Sequence, residues 1–249
     1  MKIDVFFHAG EPAALEIMGC TVVIIDVLRT TSTIVESLVN GARGVYPTSS
    51  AEEATKLAAS LGRDDTLLCG ESKGMMIEGF DLGNSPREFV KDRVAGKRLV
   101  MSTTNGTWPF LMAKDSHSTF ACCLMNISAV AYTVAEAEHL VVVCAGEEGK
   151  LSMDDAVCAG ILIDRIQEKN KDNIELNDAG YAALELSYRV NVDTEFLAMT
   201  ASGKNLIEMG FDDDLKHCAQ IDCYPVVPEM TDLGLHLQPI SRKISKENL

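Results

Sequence analysis

Leu99-Val100-Met101-Ser102-Thr103-Thr104-Asn105-Gly106-Thr107 is an apolar run that stops abruptly in six small polar residues. Successive apolar residues read as a strand buried on both faces, the kind found in parallel sheets covered by helices. The polar half offers backbone N–H groups and side-chain donors at the start of a following helix, the arrangement of a phosphate cradle. Three other strands end in the same fashion. Val22 to Ile25 runs into Asp26-Val27-Leu28-Arg29-Thr30-Thr31, Thr66 to Cys69 into Gly70-Glu71, and Leu140 to Val143 into Cys144-Ala145-Gly146-Glu147-Glu148. Ligands of open α/β sheets lie outside the carboxyl ends of strands, so this pattern places carboxylates, an arginine and many donors on one rim.

Outward from these runs, short apolar strands near 45, 98–101 and 119–124 alternate with helical-period segments. The spacing predicts helices over 30–40, from the Ser50-Ala51-Glu52-Glu53 capping box to Leu61, and over 85–91, 107–114, 127–137 and 152–168. The fold class is α/β, a layered α/β/α arrangement with a mainly parallel sheet and a more helical carboxy-terminal part. Residues 1–170 form the α/β region carrying most of the site, 171–240 a mainly helical region on it, and 241–249 a polar tail. Helices are expected over 178–190, 194–210 and 215–223, and Pro225-Val226-Val227-Pro228 reads as an edge strand because its prolines cannot donate to a ladder.

With 47% hydrophobic residues the 249-residue chain can bury a sizeable core, and its formal net charge of −15 argues against nucleic-acid backbones and anionic membranes as partners. An anionic substrate must therefore be captured by local positive groups or a metal. The eight cysteines show no CxxC pair and sit mostly in apolar segments, which suits buried reduced thiols. Met1 to Gly10 lacks a long apolar stretch and no run approaches membrane-spanning length, so a cytoplasmic location is expected.

Asp26 closes an apolar strand, where a carboxylate needs a cation or donors; it serves either as a helix cap or as a catalytic or metal-ligating group. Arg29 stands at a helix start, where a cation is disfavoured unless an anion lies nearby, which suggests an anion clamp assisted by Thr30 and Thr31. Glu71 and Asp81 are oxygen donors suited to a hard cation such as magnesium, in a long glycine-rich loop that also carries Asn84 and Ser85. Ser85 before Pro86 equally reads as a helix cap, and Ser152 with Asp154 and Asp155 as a capped first turn, with a metal role for Asp155 the alternative. HExxH and GxxxxGK[ST] motifs are missing from the sequence, which removes zinc-protease and Walker-type readings.

Taken together, residues 22–33, Gly79-Phe80-Asp81-Leu82-Gly83-Asn84-Ser85-Pro86 and Ser102 to Thr107 strongly resemble the 2-phosphosulfolactate phosphatase family. Cys144-Ala145-Gly146, Asp154-Asp155-Ala156, and Ser202-Gly203 through Leu206, Gly210 and Asp213 resemble its later blocks, so the likeness spans nearly the whole chain. The resemblance implies a magnesium-dependent phosphatase that converts 2-phospho-3-sulfolactate to 3-sulfolactate, acting as a homodimer; in methanogens that reaction serves coenzyme M biosynthesis. On this reading Asp26 and Arg29 are catalytic, and Asp26, Glu71, Asp81 and Asp155 are the candidate ligands of Mg²⁺. Thr30, Thr31, Asn84, Ser85, Thr103, Thr104, Asn105, Gly106, Thr107 and Gly146 are expected to bind the small anionic substrate, with Lys73 and Lys204 as further partners for a distal anion. The alternatives are a phosphatase for another phosphorylated hydroxy acid and a non-catalytic binding protein for such an anion.

Overall fold

The computed structural model describes residues 1–170, 174–231 and 234–237. Among them, the strands are β1 (Lys2–Phe6), β2 (Thr21–Ile25), β3 (Gly44–Pro47), β4 (Thr66–Ser72), β5 (Met75–Met76), β6 (Arg98–Ser102), β7 (Ser118–Cys122), β8 (His139–Cys144), β9 (Glu175–Leu176), β10 (Pro228–Thr231) and β11 (Gly234–Leu237). They form one sheet in the order β5-β4-β6-β3-β11-β10-β7-β2-β8-β1-β9. Both faces are buried, which is why the strands read as unbroken apolar runs. Val23 and Ile25 of β2 point into one core with Ile127, Val130, Val157 and Ile163, while Val22 and Ile24 point into the other with Ile34, Leu38 and Phe110. The architecture is therefore α/β, with helices on either side of a mainly parallel sheet.

The sheet consists of two parallel blocks. In one, β4, β6 and β3 run together; in the other, β7, β2, β8, β1 and β9 do. The antiparallel hairpin β10–β11 lies between them and meets each block through a single residue pair, Leu235 with Val45 and Glu229 with Phe120. The three antiparallel joints reverse strand direction between the blocks. A flat sheet would then put their carboxyl ends on opposite edges. Yet Glu71 from the end of β4 and Asp26 and Gly146 from beyond β2 and β8 line one cavity, the right-handed twist of sheets being what turns one block's carboxyl end toward the other's.

The predicted edge strand is corrected by this topology. Residues 225–227 lie outside the strands, and β10 begins at Pro228 inside the sheet. Proline is tolerated there because it is the strand's first residue and because β10 pairs with β7 only at Glu229. Helix boundaries follow local chemistry. The Ser50 hydroxyl accepts from the Glu53 N–H at 3.2 Å, opening the helix Ala51–Leu61, while Glu53 accepts from the Ser49 N–H at 2.8 Å. The helix expected over 194–210 is two helices, Thr194–Met199 and Ala201–Glu208, because Thr200 caps the second through the Gly203 N–H at 3.0 Å. A Cβ at Gly203 would overlap the Leu197 carbonyl, so only glycine permits this close turn. The segment expected as a helix over 85–91 is a 3₁₀ turn, Pro86–Glu88, followed by the short helix Lys91–Val94.

Seven of the eight cysteines are buried and none forms a disulfide. No helix among the described residues is long and apolar enough to cross a membrane. The polar tail 241–249 lies outside the described residues.

Candidate active site

A cavity of about 500 Å³ opens where the ends of β2, β4 and β8, the loop after β6 and the helix Ala201–Glu208 meet. Of the residues singled out in the sequence, Asp26, Arg29, Thr30, Glu71, Asn84, Thr104, Asn105, Gly146 and Asp155 line it. The rim foreseen from four strand ends is thus a single concavity.

Asp26 sits at its wall with 6% of its surface exposed. Its Oδ1 accepts from the Thr30 N–H at 3.1 Å, and its backbone carbonyl accepts from both the N–H (2.9 Å) and the hydroxyl (2.7 Å) of Thr31. Asp26 therefore caps the helix Thr30–Val39 and faces the cavity at once. Thr31 is spent on that cap and does not line the cavity. A Cβ at Gly106 would overlap Asp26 Oδ2 and Thr30 Oγ1, so the loop after β6 reaches the carboxylate only because residue 106 is glycine.

The loop itself is cross-braced. Thr103 and Thr107 exchange bonds, the Thr103 N–H to Thr107 Oγ1 at 3.3 Å and the Thr107 N–H to Thr103 Oγ1 at 3.1 Å. Glu71 accepts from the Thr104 N–H (2.7 Å), the Thr104 hydroxyl (3.0 Å) and the Gly74 N–H (2.6 Å). Glu71 thus holds the loop to the end of β4. The N–H groups of Asn105 and Gly106 keep no acceptor among the described residues, and Asn105 lines the cavity, where the loop offers donors to an anion. Asn84 adds an amide that is 4% exposed, whose Oδ1 has no partner and whose Nδ2 reaches Thr30 Oγ1 only at 3.4 Å. An unpaired buried amide at a cavity wall is a group that a bound ligand would satisfy.

Arg29 has its anion inside the protein. Its Nη1 donates to Asp214 Oδ2 at 2.9 Å, its Nη2 to the Gly74 carbonyl at 2.9 Å, and the guanidinium lies 4.5 Å from the Phe211 ring centroid. Asp214, 1% exposed, also accepts from the Ser85 hydroxyl at 2.6 Å. Ser85 is therefore tied to Asp214 and not to the cavity. Asp214 belongs to the run Asp212-Asp213-Asp214 in the first turn of the helix Asp212–Cys218, where acids are expected for the helix dipole alone, so the sequence does not single it out.

On the β8 side, Asp155 Oδ1 accepts from the Val27 N–H at 2.8 Å and Oδ2 from the Gly146 N–H at 3.1 Å, which stitches the ends of β2 and β8 together. Asp154, beside it and also lining the cavity, accepts from the Ser152 hydroxyl. Burial pushes Asp26 and Asp154 up to about 6 each, opposed by their hydrogen bonds; the charge of Glu71 adds to the rise at Asp26, and that of Asp26 to the rise at Asp154. Asp155 is pushed well above the usual carboxylate range, by burial first and then by Asp154 and Asp26. Glu147 completes this wall, receiving the Ser202 hydroxyl at 3.0 Å and the Asn205 amide at 2.7 Å from the helix Ala201–Glu208.

Seven carboxylate residues and two cationic ones, Arg29 and Lys73, line the cavity. Mutually repelling, desolvated carboxylates suit a hard divalent cation. Among the described residues no three Asp, Glu, His or Cys side chains form a ready-made cage. Magnesium does not need such a cage: one or two carboxylates of this donor set, with water and substrate oxygens, would complete its shell. Asp81 takes no place in that set, because its Oδ2 receives Arg63 at 2.9 Å and the Leu68 N–H at 2.8 Å away from the cavity lining.

A family model described as 2-phosphosulpholactate phosphatase matches residues 8–232. A probable 2-phosphosulfolactate phosphatase of Clostridium beijerinckii is 36% identical over 234 residues, covering 93% of this chain and 98% of that protein. Proteins given the same name in Caldanaerobacter subterraneus and Pseudothermotoga lettingae are each 38% identical, over 84% and 91% of this chain and 87% and 94% of their own lengths.

Proposed function

Because the chain belongs to the 2-phosphosulfolactate phosphatase family, we propose that it is a phosphoric monoester hydrolase that turns 2-phospho-3-sulfolactate and water into 3-sulfolactate and phosphate. The observation that carries this reading is the meeting of Asp26 with the Asn105–Gly106 loop on one cavity wall. The free N–H groups of that loop, the Asn84 amide and the Arg29 edge supply donors to phosphoryl oxygens. Such preorganised donors account for much of the rate in phosphoryl transfer. In-line attack by water leaves a proton behind, and a carboxylate at about 6, as Asp154 is, stands ionised at neutral pH yet basic enough to accept it.

The substrate carries phosphate, sulfonate and carboxylate, whereas acidic residues outnumber basic ones in the cavity lining. The reading therefore includes Mg²⁺ held by Asp26 with Asp155. Bound there, the ion would neutralise phosphoryl oxygens and acidify a water molecule. We further read the protein as a cytoplasmic homodimer whose product is the sulfolactate that coenzyme M biosynthesis uses.

The test is phosphate release from 2-phospho-3-sulfolactate and a panel of other phosphorylated hydroxy acids, after chelator treatment and again with Mg²⁺ restored. Release that needs Mg²⁺ and favours the sulfonated substrate is expected. Binding of these acids with no phosphate release under any condition would make the protein a carrier or sensor of them instead.

A further inference from the structure

At the amino-terminal ends of β2, β8 and β1, the far end of these strands from the cavity, three side chains stand in line. Cys20 Sγ lies 3.4 Å from His139 Nδ1, and His139 Nε2 lies 2.8 Å from Asp4 Oδ2. The sheet makes this alignment. Cys20 immediately precedes β2, His139 is the first residue of β8 and Asp4 sits in β1, and these strands are adjacent in the order β2-β8-β1. We propose that Cys20, His139 and Asp4 form a base-activated thiol, a modification site separate from the phosphatase cavity that reacts with small uncharged hydroperoxides.

The argument is one of proton placement. The Asp4 carboxylate accepts only a proton-bearing nitrogen, so it fixes the imidazole proton on Nε2 and turns the Nδ1 lone pair toward the thiol. That is the arrangement by which a histidine oriented by a carboxylate activates a nucleophile. Lys2 donates to the same Asp4 oxygen at 2.6 Å, and the carbonyls of Glu16 at 3.4 Å and Met18 at 3.8 Å are the other groups close to the sulfur. Burial first, and then the Asp4 charge, raise the Cys20 thiol above its ordinary value, so the resting group is S–H and its reactivity depends on His139. Among the described residues, none of the other seven cysteines is hydrogen-bonded to a histidine; six are buried, and Cys223 is the exposed one. Cys20 is 9% exposed while the His139 ring is about one-third exposed, an opening that suits small neutral reagents.

In the reaction the Cys20 sulfur attacks the terminal oxygen of the hydroperoxide and the O–O bond breaks. The thiol is oxidised to a sulfenic acid and the peroxide is reduced. The thiol proton passes through His139 to the departing oxygen, which leaves as an alcohol, or as water when the reagent is hydrogen peroxide.

The full-length protein is treated with hydrogen peroxide, sulfenic acids are trapped with dimedone, and adduct formation is followed peptide by peptide by mass spectrometry. In the native chain the Cys20 adduct should form about tenfold or more faster than the adduct at exposed Cys223, and His139→Gln should slow Cys20 by at least that factor while leaving Cys223 unchanged. Asp4→Asn should slow Cys20 by a smaller factor, and phosphate release should be unaltered in both variants, which also reports that they are folded. Labelling of native Cys20 no faster than Cys223, or a His139→Gln rate equal to the native one, overturns the proposal. The native comparison needs no variant, and loss of peroxide reactivity with phosphatase activity intact separates this site from the one in the cavity.

Discussion

Asp26 combines two duties whose energetics oppose each other. It caps a helix, which favours the carboxylate, and it is buried near Glu71, which disfavours it; burial wins, and its value rises from 3.8 to about 6. A raised carboxylate binds its proton more tightly in the folded state, so the cost of keeping it ionised is full above pH 6 and disappears as pH falls below about 4. Asp26→Asn should therefore stabilise the metal-free protein at pH 8 by an amount on the order of 2 kcal/mol, an advantage that shrinks toward pH 4, as urea melts at the two pH values would record. The same substitution should lower kcat by about 10²–10⁴-fold, measured by phosphate release. Asp214 gives the opposite stability outcome. Asp214→Ala leaves the Arg29 guanidinium buried without its counter-charge, and a loss of about 3–5 kcal/mol is expected in denaturant melts. The sequence made Asp26 and Arg29 conspicuous because both interrupt a local rule, a charge ending an apolar strand and a cation at a helix start. Asp214 obeys its local rule, one acid among three in a first turn, and only tertiary burial distinguishes it.

The loop after β6 is the element on which the site turns. Gly106→Ala puts a methyl group against Asp26 Oδ2 and Thr30 Oγ1, so the loop must withdraw from the carboxylate. A fall in kcat/KM of about 10²-fold is expected, with little change in melting temperature since the loop's braces from Glu71 and Thr107 remain. Strands such as β2, β6 and β8 were legible because burial on both faces writes itself as a continuous apolar run that ends in polar residues. The hairpin β10–β11 was not. It joins each block at one pair, so it needs neither a long apolar run nor a proline-free start. The break at Thr200 was hidden for a related reason: both halves keep one helical period, and the close approach of Gly203 to Leu197 belongs to three dimensions.

At the scale of the molecule, a chain of formal net charge −15 handles a polyanionic substrate. Its long-range field repels what its cavity must hold. Raising ionic strength from about 0.02 M to 0.15 M, with Mg²⁺ saturating, should screen that repulsion and lower KM about two- to threefold in steady-state assays; a rise in KM would point to capture by local cations alone. The gathering of distant polar strand ends could be anticipated from the rule for α/β sheets, whereas the reversal of direction between the two blocks, and the twist that reconciles it, could not. The block formed by β3, β4 and β6 occupies residues 44–102, a contiguous stretch between β2 and β7. It carries Glu71, Lys73, Gly74 and Asn84 of the cavity lining, and the chain leaves it by way of Thr104 and Asn105, which line the cavity too. For anyone recombining relatives, 44–102 is consequently a cassette that carries part of the reaction centre with it: a chimera exchanging it would transplant half of a catalytic apparatus, not a neutral module.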